Sequence, residues 1–165
     1  MNDPEKLTDH QVQTIRNSII ETARSLIGIP YKIGQTQADY DSGVGKWTDF
    51  SHLPANIDCS GLIAGCFRKN GLKIPDGSQN QFNFTISTDY PTDGDLGFFA
   101  HDKDVTRIYH VGILYMDQVI EARAFDENAK FETGRVILRP MDKWTNWKNF
   151  AGWRVHPKLI QVKAG

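Results

Sequence analysis

Asp58-Cys59-Ser60-Gly61-Leu62-Ile63-Ala64-Gly65-Cys66-Phe67-Arg68-Lys69-Asn70-Gly71 is the stretch that decides how this chain is read. Leu62, Ile63, Cys66 and Phe67 recur at helical spacing, Arg68 and Lys69 fall in the last turn, and Asn70-Gly71 supplies a left-handed stop. The pattern predicts a largely buried helix with Cys59 in its first turn. Unpartnered N–H groups and the positive dipole end stabilise an anion there, and a thiol attacks only as thiolate. Cys66, two turns further along on the apolar side, reads as core. Along one helix the two sulfurs' residues stand roughly 10 Å apart. A disulfide needs Cα atoms within about 7 Å, so both read as free thiols, and their spacing fits no structural zinc site.

Upstream, Val12, Ile15, Ile19, Ile20, Ala23, Leu26 and Ile27 recur at three- and four-residue steps, which predicts an amphipathic helix over residues 8 to 27. Gln13, Arg16, Asn17, Glu21 and Arg24 take its polar side. Thr8 with Gln11 forms a capping-box pattern, and Gly28 with Pro30 ends the helix. Residues 35 to 57 then lose all period, with Gly43, Gly45, Pro54 and the aromatics Tyr40, Trp47 and Phe50 scattered through a long loop. Long ordered loops tend to be functional. Its aromatics either line a binding groove or pack on themselves as an Ω-loop.

Downstream of the turn at Pro75-Asp76-Gly77 the pattern changes to short strands, Leu96 to Ala100, Tyr109 to Tyr115, Val119 to Ala124 and Arg135 to Arg139, with Trp153 to His156 as a last one. Helices followed by an antiparallel meander define an α+β fold. The length of 165 residues fits one domain over 1–165, with its core from about 8 to 157.

A nucleophilic thiol needs an imidazole to share its proton and to protonate the leaving amine. Of five histidines, His10 lies on a polar helix side, His101 in a charged turn and His156 near the tail, while His52 sits in the aromatic loop. His110 opens the strand His110-Val111-Gly112-Ile113-Leu114-Tyr115, where a rigid sheet can hold its ring against a helix terminus. Glu121, in the next strand, is the candidate to orient that ring. A turn at Asp117-Gln118 offsets it from His110 by four residues and a turn at Met116-Asp117 by two, and only the second register brings them within reach.

Three blocks, Asp58-Cys59-Ser60-Gly61-Leu62, Gly94-Asp95-Leu96-Gly97-Phe98-Phe99 and His110-Val111-Gly112-Ile113, resemble the signature blocks of the NlpC/P60 cysteine peptidases in order and separation. Pro30-Tyr31-Lys32-Ile33-Gly34 is similar to the family's Pro-Tyr-x-Trp-Gly segment, and Ser78-Gln79-Asn80-Gln81 to a polar Ser-Gln motif. The resemblance covers roughly residues 10 to 155. It implies a papain-like fold, with N-terminal helices on a central antiparallel sheet and the catalytic cysteine at a helix N-terminus. It implies hydrolysis of peptide bonds in bacterial cell-wall stem peptides or muropeptides, between D-glutamate and the diamino acid. Carried over by position, Cys59 attacks, His110 is the base, Tyr31 places a hydroxyl near the oxyanion, and Asp58 with Ser60 binds the amino end of the peptide. The chain departs from the family pattern where Glu121 takes a position often held by histidine, Ile33 replaces Trp, Gln35 replaces the second glycine, and the loop 35–57 is longer than usual.

Nothing in this chemistry calls for a metal or an organic cofactor. Lys and Arg number 19 against 20 Asp and Glu, without clustering, which argues against a nucleic-acid partner. No run approaches the ~18 apolar residues of a membrane span. The segment Met1-Asn2-Asp3-Pro4-Glu5-Lys6 shows no signal peptide, so the expectation is a product that is cytoplasmic as synthesised and reaches a wall by a non-classical route. The same dyad would also serve an amidase or an antibacterial effector, and an inactive wall-peptide-binding module would keep the fold alone.

Overall fold

The computed structural model describes residues 6–34, 36–124 and 134–161; Gln35 and the Tyr40 side chain lie outside the described residues. The first helix, α1 (Asp9–Ser25), starts at a complete capping box, with Thr8 Oγ1 accepting from Gln11 N–H and Gln11 Oε1 accepting from Thr8 N–H. Between it and the cysteine helix runs a long connection whose described residues include a short helix, α2 (Gln37–Asp41). The cysteine helix is α3 (Cys59–Lys69), capped by Asp58 and stopped at Asn70, with Gly71 at φ +84°. Two short helices complete the set, α4 (Ser78–Phe84) and α5 (Met141–Thr145).

Six strands, β1 (Ile86–Ser87), β2 (Leu96–Ala100), β3 (Ile108–Tyr115), β4 (Gln118–Arg123), β5 (Arg135–Pro140) and β6 (Phe150–Val155), form one sheet in the order β1-β6-β2-β3-β4-β5. β2 to β5 make the expected meander. The last strand departs from it, because β6 returns after α5 to pair antiparallel with the free edge of β2, and β1 pairs with β6. The α+β class stands, with α5 inserted among the strands.

Side chains alternate across a strand, so the sheet carries two apolar faces. On one, Phe98, Val111, Ile113 and Ile120 meet Ile19, Ala23 and Leu26 of α1 and Leu62, Ile63 and Phe67 of α3. On the other, Phe99, Leu114 and Val119 gather around Trp144 of α5 and Trp153 of β6. Each fully buried apolar side chain contributes about 1.5–3 kcal/mol.

One expectation changes, and one open alternative is decided. Arg16 is 4% exposed and not on a polar face. Its guanidinium donates to Asp95 Oδ1 at 2.8 Å, to Asp93 O at 2.8 Å and to Leu159 O at 3.0 Å, so an ion pair from the sheet lets a charge enter the core. Of the two readings of the long loop, the self-packed one is found for Trp47 and Phe50. Trp47 is 5% exposed, meets Phe50 edge-on at 5.0 Å and donates its Nε1–H to the carbonyls of Asp49 and His52. A Cβ on Gly65 of α3 would come within 2.7 Å of the Trp47 ring, so the glycine is what lets the loop lie against the helix.

Candidate active site

The site begins with the cap of α3. Asp58 is extended, and its Oδ1 accepts from Gly61 N–H at 2.6 Å, which fixes the first turn and with it the start of the helix at Cys59. Burial pushes the Asp58 carboxyl above the usual carboxylate range, against the Gly61 and Ser60 hydrogen bonds that lower it. The loop braces this cap. Asp58 N–H donates to Gly45 O, Gly45 N–H donates to Asn56 Oδ1, and a side chain on Gly61 would collide with the Gly45 carbonyl. From the other side, buried Gln81 of α4 donates to the carbonyls of Ser60 and Pro75, both at 3.0 Å. Gln79 Oε1 accepts from Ile108 N–H at the start of β3. The polar Ser-Gln segment therefore ties the cysteine's turn to the histidine's strand.

β3 and β4 pair Ile113 with Ile120 and Tyr115 with Gln118, so the turn is Met116-Asp117 and Met116 takes φ +55°. This is the register that offsets Glu121 from His110 by two. His110 Nε2 lies 3.0 Å from Glu121 Oε1, which leaves Nδ1 to face the thiol. Burial works against a charged ring here. Hydrogen bonds to Cys59 and to Glu121, together with the negative charge of each, outweigh it and hold the imidazole at about 9, above the ordinary 6.5. His110 is therefore an imidazolium at neutral pH, placed between Cys59 and the Glu121 carboxylate.

Glu121 is 0% exposed and has more partners than His110. Arg139 approaches it with Nε at 2.7 Å and Nη2 at 3.0 Å, Trp144 Nε1 donates at 2.6 Å, and Arg123 Nε lies 3.6 Å away. Burial raises its carboxyl, but the hydrogen bonds and charges of His110 and Arg139 win and keep it below the usual range. The place of Trp144 depends on two glycines of the signature blocks. Gly97 and Gly112 pair across β2 and β3, and a Cβ on either would meet the Trp144 ring within 3.1 Å. The absence of two side chains thus admits the indole that helps to hold the glutamate. Phe99 and Trp144 flank the His110 ring, with centroids 5.4 Å away in each case.

The six residues singled out from sequence are distributed unevenly. His110 brings two of them together: its Nε2 meets Glu121 Oε1 at 3.0 Å, and Cys59 lies near enough to raise the ring's pKa. Asp58 and Ser60 line a cleft with Cys59, together with Ile33, Lys46 and Asp76. Tyr31 is half-buried, and its backbone bridges to Ile57 beside the cap; it is not among the residues that line this cleft. A second cleft, of about 570 Å³, opens on the far side of His110 between Phe99, Tyr109, Arg123, Arg139, Lys143 and Trp147. Tyr109 borders both, with its hydroxyl accepting from Trp147 Nε1 at 3.0 Å and Asn149 Nδ2 at 3.1 Å. Sequence reasoning missed Arg139 and Trp144. The small-residue pair Gly97 and Gly112 is the trace of Trp144, whereas Arg139 leaves no signal until the β4–β5 pairing is known. Of the other histidines, His10, His52 and His101 are exposed, and His156 is buried with its Nε2 2.7 Å from Lys73 O. Burial pushes the Cys66 thiol up, as befits a core residue.

The NlpC/P60 family model matches residues 28–145. A gamma-D-glutamyl-L-lysine dipeptidyl-peptidase of Bacillus cereus is 28% identical over 103 residues, covering 61% of this chain and 26% of that protein. The bifunctional muramidase/DL-endopeptidase CwlT of Bacillus subtilis is 38% identical over 80 residues, 47% of this chain and 23% of its own length. The chain thus spans about a quarter of the curated relatives it matches. Among solved structures, the P60 domain of a Mycobacterium avium subspecies paratuberculosis antigen superposes with a TM-score of 0.62 at 23% identity, covering 92% of this chain and 98% of that one. The peptidoglycan hydrolase RipB of Mycobacterium tuberculosis gives 0.62 at 21%, covering 98% and 74%. These two likenesses concern the fold, while the family match takes in the cysteine and histidine blocks and most of the chain, and on that match the chain belongs to the NlpC/P60 family.

Proposed function

We propose that this chain is a cysteine peptidase that hydrolyses the amide bond between D-glutamate and the diamino acid of bacterial cell-wall stem peptides. The observation that carries the reading is the line from Cys59 through His110 to Glu121, with the imidazole held charged at about 9 between the two. Family membership and the printed activities of the Bacillus relatives supply the substrate class.

In this mechanism the Cys59 thiolate adds to the amide carbonyl carbon. The oxyanion is held by the Cys59 N–H at the start of α3, a donor worth about 3 kcal/mol in comparable sites. The His110 imidazolium gives its proton to the leaving amine, the C–N bond breaks and a thioester remains. His110, now neutral, takes a proton from water as it attacks the thioester, which frees the acid and restores the ion pair. Glu121 acts as a positioning residue throughout. Asp58 and Ser60, in the cleft beside Cys59, receive the amino end of the peptide.

The test is mass spectrometry of a defined peptide, L-Ala-γ-D-Glu-L-Lys, incubated with the protein and with Cys59→Ala. The expected products are L-Ala-D-Glu and free lysine with the former and none with the latter. Cleavage that survives in Cys59→Ala would reject the nucleophile, and cleavage at another bond would reject the substrate assignment.

A further inference from the structure

The two clefts that flank the Cys59–His110 pair differ in charge. The one beside Cys59 carries Asp58 and Asp76 with Lys46. The one beside His110 carries Arg123, Arg139 and Lys143, and no acidic residue lines it among the described residues. Glu121 lies beneath this wall at 0% exposure and is shared by His110, Arg139, Arg123 and Trp144, so a single buried carboxylate faces three basic side chains. Lys143, on α5 next to the buried Trp144, is exposed at the rim.

Chemistry assigns a direction to these clefts. The proton for the leaving amine comes from His110, so the leaving half of the substrate must pass over the imidazole, and the acyl half must lie beside the sulfur. We propose that the basic cleft beside His110 is the subsite for the leaving amino acid and that it binds that residue's free carboxylate. This inference rests on the peptidase reading and adds a specificity to it. Stems that end at the diamino acid, with a carboxylate within reach of Lys143, Arg123 and Arg139, are cut faster than stems whose corresponding group is a neutral amide. Phe99, Tyr109 and Trp147 supply the apolar wall for the side-chain methylenes. Charge-assisted hydrogen bonds of this kind are about twice as strong as neutral ones.

The experiment compares L-Ala-γ-D-Glu-L-Lys bearing a free C-terminal carboxylate with the same peptide as its C-terminal carboxamide. The protein should cut both, with kcat/KM about tenfold higher for the carboxylate, and added salt should shrink that ratio. Lys143→Gln should compress the ratio by slowing the carboxylate peptide more than the amide, and Lys143→Arg should keep it. Equal rates on the two peptides, or a Lys143→Gln variant that slows both alike, would overturn the subsite while leaving the peptidase reading intact. Cleavage of neither peptide would remove the peptidase reading and this inference with it.

Discussion

Replacing Glu121 with Gln takes one negative charge out of a site that solvent does not reach. In the folded protein His110 titrates at about 9, against 6.5 ordinarily. At ~1.36 kcal/mol per pH unit, that gap amounts to roughly 3 kcal/mol of preference for the charged ring in the folded state. Because the folded value is the higher one, this stabilisation is fully present below pH 6.5 and is lost as the pH rises to about 9. Glu121 itself lies below its usual range, so its own contribution is lost only in acid, outside that window. Cys59 and Glu121 together raise the ring, and removing the Glu121 charge should remove about half of the effect, ~1–2 kcal/mol. Arg139, with a side chain 19% exposed, then faces a neutral amide, which lowers stability at pH 7 by a further ~1–3 kcal/mol. The assay is urea unfolding of both proteins from pH 6 to 9.5, each in a Cys59→Ala background so that the thiol does not titrate in the same window. With the thiol gone, the protein that keeps Glu121 should lose about half of the full effect, ~1–2 kcal/mol, across the window, or about 2–8 °C in Tm for a chain of this size, and the one with Glu121→Gln little or nothing. A flat profile with Glu121 in place, or the same slope in both, would refute the reasoning.

Gly112→Ala places a Cβ 2.6 Å from Val119 Cγ1 and 2.9 Å from the Trp144 ring, so it should cost about 1–3 kcal/mol in urea unfolding and reduce kcat by displacing the indole from Glu121. Trp47→Ala should lower stability by about 3–5 kcal/mol in the same assay, because the loop aromatic is core. Asp58→Ala removes the cap of α3 and should cost about 0.5–2 kcal/mol, much of which Asp58→Asn should restore, as read by thermal unfolding.

Much of the site is legible in the chain because local rules act there without competition. The Asp58 cap, the apolar spacing of Leu62, Ile63, Cys66 and Phe67 and the Asn70-Gly71 stop each specify α3 from neighbours a few residues away. The β3–β4 turn is nearly as local, and choosing the reach-compatible register at Met116-Asp117 predicts the pairing that is found. What stays hidden depends on long-range packing. Arg16 looks like a surface residue because its partner Asp95 lies 79 positions away. Whether Trp47 lines a groove or packs inward stays open in the sequence because the glycine that receives it, Gly65, belongs to another element. The return of β6 to the edge of β2 and the short helices α4 and α5 are set by what they cover, and their own periodicity over five to seven residues is too brief to announce them.

The central claim is that His110 activates Cys59 as a nucleophile, and iodoacetamide labelling at pH 6 addresses it directly, with the buried Cys66 as the internal control. Mass spectrometry over time should show Cys59 modified quickly and Cys66 spared, and His110→Ala should slow labelling of Cys59 by about tenfold or more. Equal labelling rates at Cys59 with and without the imidazole would contradict the account.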